Sequence, residues 1–263
     1  MIDINEIAEY YPPNLRKFKR LLLREYLQYK ILEIVFNGPF SEKLIFLGGT
    51  CLRILYGNQR FSEDLDFDNF NLSKAEFDEI SINIVSELKK LGYVVEMKQV
   101  TKGAYHCYIR FPSLLFQQGL SGHEEEKILI QLDTEPQGFD FVPDYPILNK
   151  FDVFCKIASA PLDLLMAQKC YAILNRARNK GRDFYDLVFL MSKGTKPNMG
   201  YLDQKMAISK TSELKKILLK KCDSLNMEEM VRDVAPFLFD KKSENKVRYF
   251  RDYLSDFSFD NRK

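Results

Sequence analysis

Two short segments carry residues whose types and spacing suit chemistry on phosphate groups. Residues 48–50 read Gly-Gly-Thr and follow an apolar run, and residues 64–68 read Asp-Leu-Asp-Phe-Asp. Side chains two apart on a strand point to the same face, with Cα atoms about 6.5–7 Å apart. Asp64 and Asp66 would therefore project together, and a divalent cation would relieve the repulsion between their carboxylates.

Such a carboxylate pair can hold two metal ions about 3.5–4 Å apart, the spacing used for in-line displacement at phosphorus. Gly48 and Gly49 lie between a predicted strand and a predicted helix. Glycines there let the backbone approach phosphates, and the N–H groups and dipole of the helix favour negative charge. The combined pattern predicts a nucleoside triphosphate held against two metal ions, with a hydroxyl contact from Thr50.

Simpler explanations exist for each segment alone. The two glycines can form a plain turn, and alternating acids can form a solvated strand face. A calcium-binding loop that begins at Asp64 is excluded, because its sixth residue is Asn69 instead of Gly and its twelfth is Ala75 instead of Glu. The two segments in combination are more specific than either one.

The second half of the chain adds a basic segment. Between Asp163 and Asp183 there is no acid, and the cations are Lys169, Arg176, Arg178, Lys180 and Arg182. Lys169 falls near the apolar face of its predicted helix, where an ammonium group needs an anionic partner such as phosphate. Arg182 either serves the site or forms a helix ion pair with Asp186.

Other polar residues leave alternatives open. Arg60 precedes the acidic strand and either steadies its carboxylates or contacts the nucleotide. His106 lies in an alternating strand-like segment and is expected to be structural. A basic helix stripe is either solvated or binds a nucleic-acid backbone; it consists of Lys215, Lys216, Lys220 and Lys221.

Apolar periodicity predicts the elements that position these residues. In the first half, helices are expected over 15–36, 51–56 and 73–91, and strands over 44–47, 64–67, 93–100, 104–111, 127–133 and 151–157. After Pro161, helices are expected over 162–173, 182–191, 199–223, 226–236 and 243–255. We therefore predict an α+β fold, with a mixed sheet flanked by helices in residues 1–158 and a helical domain in 159–263 that closes the active-site cleft.

The composition is that of a globular protein, with 263 residues, 46% of them hydrophobic, and a net charge of only +2. Residues 1–150 carry 17 Lys and Arg against 22 Asp and Glu, whereas the remainder carries 22 against 15. An acidic half beside a basic half fits a metal site that faces a polyanion, although charge alone favours solvated helix faces.

Cysteine and histidine usage narrows the class further. The chain has 5 Cys, widely spaced, and 2 His, which argues against a structural zinc site and favours free thiols. The first residues lack the apolar core of a signal peptide, and no run reaches about 18 apolar residues. We expect a cytoplasmic protein with no membrane span.

The residues quoted above resemble a known family. The stretch LGGTCLRILYGNQRFSEDLDFD at 47–68 resembles the nucleotidyltransferase signature of the DNA polymerase β-like superfamily. Its details, GGT-x-LR and then RFSEDLDF, are similar more narrowly to the AbiEii toxin family, which includes the MenT toxins. LLMAQK at 164–169 and RDFYDL at 182–187 support this resemblance, which covers residues 44–192.

The resemblance implies roles for the acids. Asp64 and Asp66 would bind Mg²⁺, and Asp186 would be a further essential acid. Superfamily members usually supply a third carboxylate from a later strand, as a metal ligand or as the base toward the incoming hydroxyl. Asp133 is the candidate, because it ends an apolar strand, and Glu135 and Asp186 are the alternatives.

The resemblance also implies the nucleotide contacts. Gly48, Gly49 and Thr50 would cradle the triphosphate, and Lys169 would contact its phosphates and join the catalytic set. Arg60 and Arg182 complete the candidate nucleotide-binding residues.

The implied reaction is the Mg²⁺-dependent transfer of a nucleoside monophosphate from a triphosphate to an acceptor hydroxyl, with release of pyrophosphate. The implied acceptor is RNA, foremost the 3′ end of tRNA, and the protein would act as a toxin with a cognate antitoxin. One alternative is transfer to a small molecule such as an aminoglycoside, or to a protein. Another is a nucleotide-binding regulator without turnover.

Overall fold

The computed structural model describes residues 2–101 and 103–259. The chain divides into two compact units. The first comprises Met1–Leu55 and Phe61–Ser159, and the second comprises Tyr56–Arg60 and Ala160–Lys263. The first unit contains strands and helices, and the described part of the second contains helices, so the predicted α+β class is confirmed.

A five-stranded sheet forms the centre of the first unit. Its strands are β1 (Leu44–Leu47), β2 (Leu65–Asn69), β3 (Glu96–Val100), β4 (Tyr105–Phe111) and β5 (Ile128–Thr134). The spatial order is β1-β2-β5-β4-β3. β2 and β5 run parallel, and the other neighbouring strands run antiparallel. The acidic strand β2 therefore lies beside the strand that ends in Asp133.

Helices and a hairpin complete this unit. They are α1 (Ile4–Glu9), α2 (Lys19–Phe36), α3 (Gly48–Tyr56), α4 (Lys74–Lys90), α5 (Leu114–Gln117), β6 (Ile147–Lys150) and β7 (Val153–Lys156). Ser73 and Glu76 form a capping box that starts α4, as their spacing predicts. Leu65 and Phe67 of β2 are buried, so this strand anchors Asp66, which lies between them, to the core.

The second unit is built around one buried helix. Its helices are α6 (Leu162–Asn175), α7 (Gly181–Ser192), α8 (Met199–Met206), α9 (Thr211–Asp223), α10 (Met227–Val234), α11 (Asn245–Arg248) and α12 (Phe250–Asp256). α7 packs against α6, α10 and α11. Gly181 begins α7 and lies so close to Met230 of α10 that a side chain there would collide with the main chain.

Several boundaries differ from the sequence prediction for local reasons. The predicted helix over 199–223 is two helices, because Ala207 ends α8 in the left-handed conformation, with φ 55°. The helix predicted from residue 15 begins at Lys19, since hydrogen-bonded turns occupy the residues after Pro12 and Pro13. The strand predicted over 151–157 is the second half of a hairpin. The prediction missed α1, α5 and β6.

Two further expectations concern the thiols and the membrane. All five Cys are buried and free of disulfides. Within the described ranges, no helix combines the length and the apolar character that a membrane span requires.

Candidate active site

Two carboxylates lie side by side where β2 and β5 run parallel. Asp66 and Asp133 are Cα partners in this register, as are their neighbours Leu65 and Leu132. Neighbouring strands are about 4.8 Å apart, and paired residues project to the same face. Both leucines are buried, whereas both aspartates are half-buried on the opposite face. The register thus brings together two acids that are far apart in the sequence.

Gly48 joins the glycine segment to this acid pair. It follows β1, where Leu47 pairs with Asp66, and it begins α3 with φ 81°. A Cβ at this position would lie 2.9 Å from Asp66 Cγ and 3.0 Å from Asp66 Cβ. A side chain is therefore excluded both by the left-handed backbone and by the Asp66 carboxylate. The N-terminus of α3 consequently begins beside Asp66.

A hydrogen bond from the Thr50 side chain to the Asp64 main chain connects the same two segments. Thr50 is fully buried in α3, and its hydroxyl donates a hydrogen bond to the main-chain carbonyl of Asp64. The sequence predicted that this hydroxyl contacts a phosphate. In the structure the hydroxyl is buried and is bonded to the main chain. Asp64 is half-buried and immediately precedes β2, and Gly49 is buried in the first turn of α3.

Asp133 is held by two residues that the sequence analysis did not assign to the site. Gln131 Nε2 donates to Asp133 Oδ1 and Oδ2 at 2.7 and 2.9 Å. His106 Nδ1 lies 2.6 Å from Asp133 Oδ1. The sequence indicated only that His106 and Gln131 lie on strands with alternating apolar residues, and not that they contact Asp133. Glu135, the alternative third acid, is exposed beyond the end of β5, and its N–H donates to the Phe67 carbonyl.

A second cluster of charges is buried in the helical unit and centres on Asp186. Arg60 donates to both carboxylate oxygens of Asp186 at 2.7 Å, and Asn58 Nδ2 donates to Oδ1 at 2.7 Å. Lys169 Nζ lies 2.8 Å from Asp186 Oδ2. Burial alone would raise the pKa of Asp186, but the charges of Arg60 and Lys169 lower it to about 2. Asp186 is therefore an ionised anchor, and Arg60 steadies this carboxylate.

Lys169 is shared between two acids. Its ammonium also lies 3.0 Å from Asp183 Oδ1, and only 13% of its side chain is exposed. Burial alone would lower the pKa of Lys169, but Asp186 and Asp183 raise it. Lys169 thus stays charged inside the unit. Asp183, a further site residue that the sequence analysis left unassigned, also lies 3.7 Å from Arg176 Nη1.

Arg182, which precedes Asp183 in α7, lies against an aromatic ring. Its guanidinium carbon lies 4.8 Å from the centre of the Phe237 ring, a cation–π arrangement. The ion pairs of Asp186 described above are made by Arg60 and Lys169, which are distant in sequence and reach it by the packing of the helical unit.

The acid pair of the sheet provides ligands that suit a divalent cation. Mg²⁺ prefers oxygen ligands and is bound by one or two carboxylates together with substrate phosphates and water. Asp66 and Asp133 supply two carboxylates on one face. Across residues 2–101 and 103–259, no group of three or more His, Cys, Asp and Glu side chains is placed to hold a metal ion. The residues fit a cation that a nucleotide brings with it.

Solved structures share this architecture. The protein JHP933 from Helicobacter pylori superposes with a TM-score of 0.52 at 16% sequence identity, over 89% of this chain and 91% of that chain. A second H. pylori protein, proposed to be a nucleotidyltransferase, superposes with a TM-score of 0.50 at 17% identity, over 89% and 94% of the two chains. These likenesses show that the chain shares the fold of both proteins.

The family follows from the sequence itself. Residues 30–257 match the sequence model of the nucleotidyl transferase AbiEii toxin of type IV toxin–antitoxin systems. The chain belongs to this family and is a nucleotidyltransferase, so the resemblance noted above is confirmed. A search of curated proteins gives no match. The family implies a nucleotide substrate and a cognate antitoxin, and its members generally use a divalent metal ion.

The contact between Gly48 and Asp66 predicts a selective loss of activity. Gly48→Ala should displace the Asp66 carboxylate and lower the rate of pyrophosphate release about 100-fold, the effect of a misplacement of about 1 Å. Gly57→Ala is the matched control, because Gly57 has φ 75° but open space around it. Both variants place a Cβ on a left-handed backbone, so equal rates would contradict a role for the contact with Asp66.

The buried ion pairs of Asp186 predict a large effect on stability. Asp186→Asn leaves Arg60 and Lys169 without their shared counter-charge and should lower the free energy of unfolding by about 3–5 kcal/mol. Asp223→Asn removes an exposed ion pair with Arg251 and should change the free energy of unfolding little. Denaturant titration followed by circular dichroism measures both.

The pH dependence of the stability of Asp186→Asn tests whether the charge of this carboxylate causes the effect. The pKa of Asp186 falls from 3.8 to about 2 on folding. Its contribution to stability is therefore complete above pH 4 and is lost as the pH falls toward 2. The difference between wild type and Asp186→Asn should shrink over that interval, and a constant difference would contradict the assignment.

Proposed function

We propose that this nucleotidyltransferase transfers a nucleoside monophosphate from a triphosphate to the 3′-terminal hydroxyl of tRNA, with Mg²⁺ as its metal ion. The proposal depends chiefly on one observation, the in-register pairing of Asp66 with Asp133 beside the glycine that begins α3. Two carboxylates next to a helix N-terminus suit a triphosphate with its cation. By this proposal the toxin prevents tRNA from being aminoacylated.

The candidate site residues of the first unit have separate roles in this scheme. Asp66 and Asp133, assisted by Asp64, would hold the divalent cation, which would neutralise phosphate charge and acidify the acceptor hydroxyl. The backbone N–H groups at Gly49 and Thr50 receive the phosphates. The acceptor oxygen attacks the α-phosphorus, the bond to the pyrophosphate oxygen breaks, and the hydroxyl proton passes to Asp133.

The residues of the helical unit supply fixed charge. Asp186 has a pKa of about 2 and accepts from Arg60, Asn58 and Lys169, so it is a poor proton acceptor and serves as a positioning residue. An ammonium group has three N–H donors. Lys169 directs two of them to Asp183 and Asp186, and we assign the third to a nucleotide phosphate.

A basic groove supports a polyanionic acceptor. The helical unit contains a groove of about 540 Å³ between the end of α6, α8 and α9. Its lining combines apolar side chains with the lysines Lys205, Lys220 and Lys221, against one acid, Glu213. Nucleic-acid backbones bind such lysines by releasing counterions. Of the predicted lysine stripe, Lys220 and Lys221 line the groove. Lys215 instead donates to the carbonyls of Ser255 and Phe257.

The decisive assay combines the four α-labelled triphosphates, Mg²⁺ and total tRNA. Wild type should label tRNA with its preferred nucleotide, and Asp66→Asn should reduce labelling about 100-fold or more, because the cation that stabilises the transition state loses a carboxylate ligand. Asp252→Asn, an equal charge change on the exposed face of α12, should label tRNA like wild type.

The possible failures of this assay have different meanings. Equal labelling by Asp66→Asn would refute the role of the acid pair. Transfer to a small molecule or a protein, with tRNA unlabelled, would refute the acceptor but retain the chemistry. Triphosphate binding without transfer to any acceptor would favour a nucleotide-binding regulator.

The groove makes a separate prediction about salt. Replacing Lys220 and Lys221 with Gln should weaken tRNA binding and lower the slope of log affinity against log salt concentration by about 1.5, because about two phosphate contacts are lost. The same replacement at the exposed pair Lys241 and Lys242 is the control. Fluorescence anisotropy of labelled tRNA measures both slopes, and identical slopes would remove the groove from the binding surface.

A further inference from the structure

The side chain of Asp133 lies between two hydrogen-bonding side chains, those of His106 and Gln131. His106 on β4 is its Cα partner, and Gln131 precedes it by two residues on β5, so all three side chains share one face of the sheet. An ionised carboxylate only accepts hydrogen bonds, so His106 donates through Nδ1–H at 2.6 Å. Gln131 donates to both oxygens.

These bonds are not needed to solvate a buried charge. The side chains of His106 and Asp133 are each 29% exposed, so water can reach the carboxylate. A part-exposed pair of this kind contributes little to folding stability. The two donors do, however, restrict the rotation of the carboxylate about its χ2 bond.

The contacts also distinguish the two oxygens of Asp133. A carboxylate offers about four lone-pair positions, two on each oxygen. Oδ1 accepts from both His106 and Gln131, whereas Oδ2 accepts from Gln131 alone. Oδ2 therefore keeps the greater capacity for another ligand, on the face that Asp133 shares with Asp66.

We propose that His106 and Gln131 are positioning residues that hold Asp133 so that its Oδ2 is presented to the divalent cation of a bound nucleotide. This inference rests on the proposed function, because it assumes that Asp133 is a ligand of that cation. Hydrogen bonds of this kind orient the ligating carboxylate, and their loss lowers metal affinity about 10–100-fold. His106 thereby acquires a role that differs from the structural one expected from its strand.

The chain allows a direct spectroscopic test, because it contains only 2 His. His123 lies in the segment between α5 and β5, with its side chain 77% exposed, and serves as an internal reference. In ¹⁵N-labelled protein, adding Mg²⁺ with a non-hydrolysable triphosphate should shift the ring-nitrogen signals of His106 and leave those of His123 in place. Unmoved His106 signals, with the analogue bound, would overturn the inference.

Substitutions test the hydrogen bond itself. His106→Phe keeps the ring but removes the donor, and it should weaken Mn²⁺ binding in the presence of the analogue about 10–100-fold. His106→Asn keeps an N–H near the position of Nδ1 and should recover most of this loss, whereas His123→Asn should bind Mn²⁺ like wild type. Gln131→Leu gives a second route to the same measurement if His106→Phe fails to fold.

The outcomes separate this inference from the proposed function. If wild type transfers nucleotide and His106→Phe binds Mn²⁺ as tightly as wild type, only the positioning role is refuted. If recovery by His106→Asn is absent while both variants are folded, the donor at Nδ1 is likewise refuted. If wild type transfers nucleotide to no acceptor, the proposed function fails, whatever the Mn²⁺ affinities show.

Discussion

The register between β2 and β5 is the constraint on which the rest of the candidate site depends. It sets Asp66 beside Asp133, and the antiparallel neighbour β1 then delivers Gly48 to the same carboxylate. A shift of one residue would turn each acid into the core and each leucine out. The buried partners Leu65 and Leu132 oppose such a shift, so the hydrophobic core of the sheet positions the carboxylates.

The helical unit depends on a different interaction, the pairing of opposite charges that are buried together. Asp186 and Arg60 are almost inaccessible, and removal of either would strand the other. The loop that separates the glycine and aspartate segments takes part, since Asn58 and Arg60 both donate to Asp186, and the Gln59 carbonyl accepts from Tyr185. The spacer of the motif thus has a structural task of its own.

Much of this arrangement could be predicted from the sequence. Strand and helix periodicity located β1, α3, β2 and α4, and the resemblance in residues 47–68 predicted the family that the comparison confirms. The partners of each acid could not be predicted, because they come from strand register and helix packing. The bonds of Asp133 to His106, and of Asp186 to Arg60, join residues 27 and 126 positions apart. The spacing of residues likewise could not predict that Thr50 is fully buried.

The central claim is that Asp66 and Asp133 together hold the cation of a bound nucleotide. The most direct measurement is an anomalous difference map from a crystal grown with Mn²⁺ and a non-hydrolysable triphosphate. We predict a peak within about 2.0–2.6 Å of one oxygen from each carboxylate, the range of oxygen ligands to divalent cations. A bound triphosphate whose Mn²⁺ contacts neither residue would contradict the account.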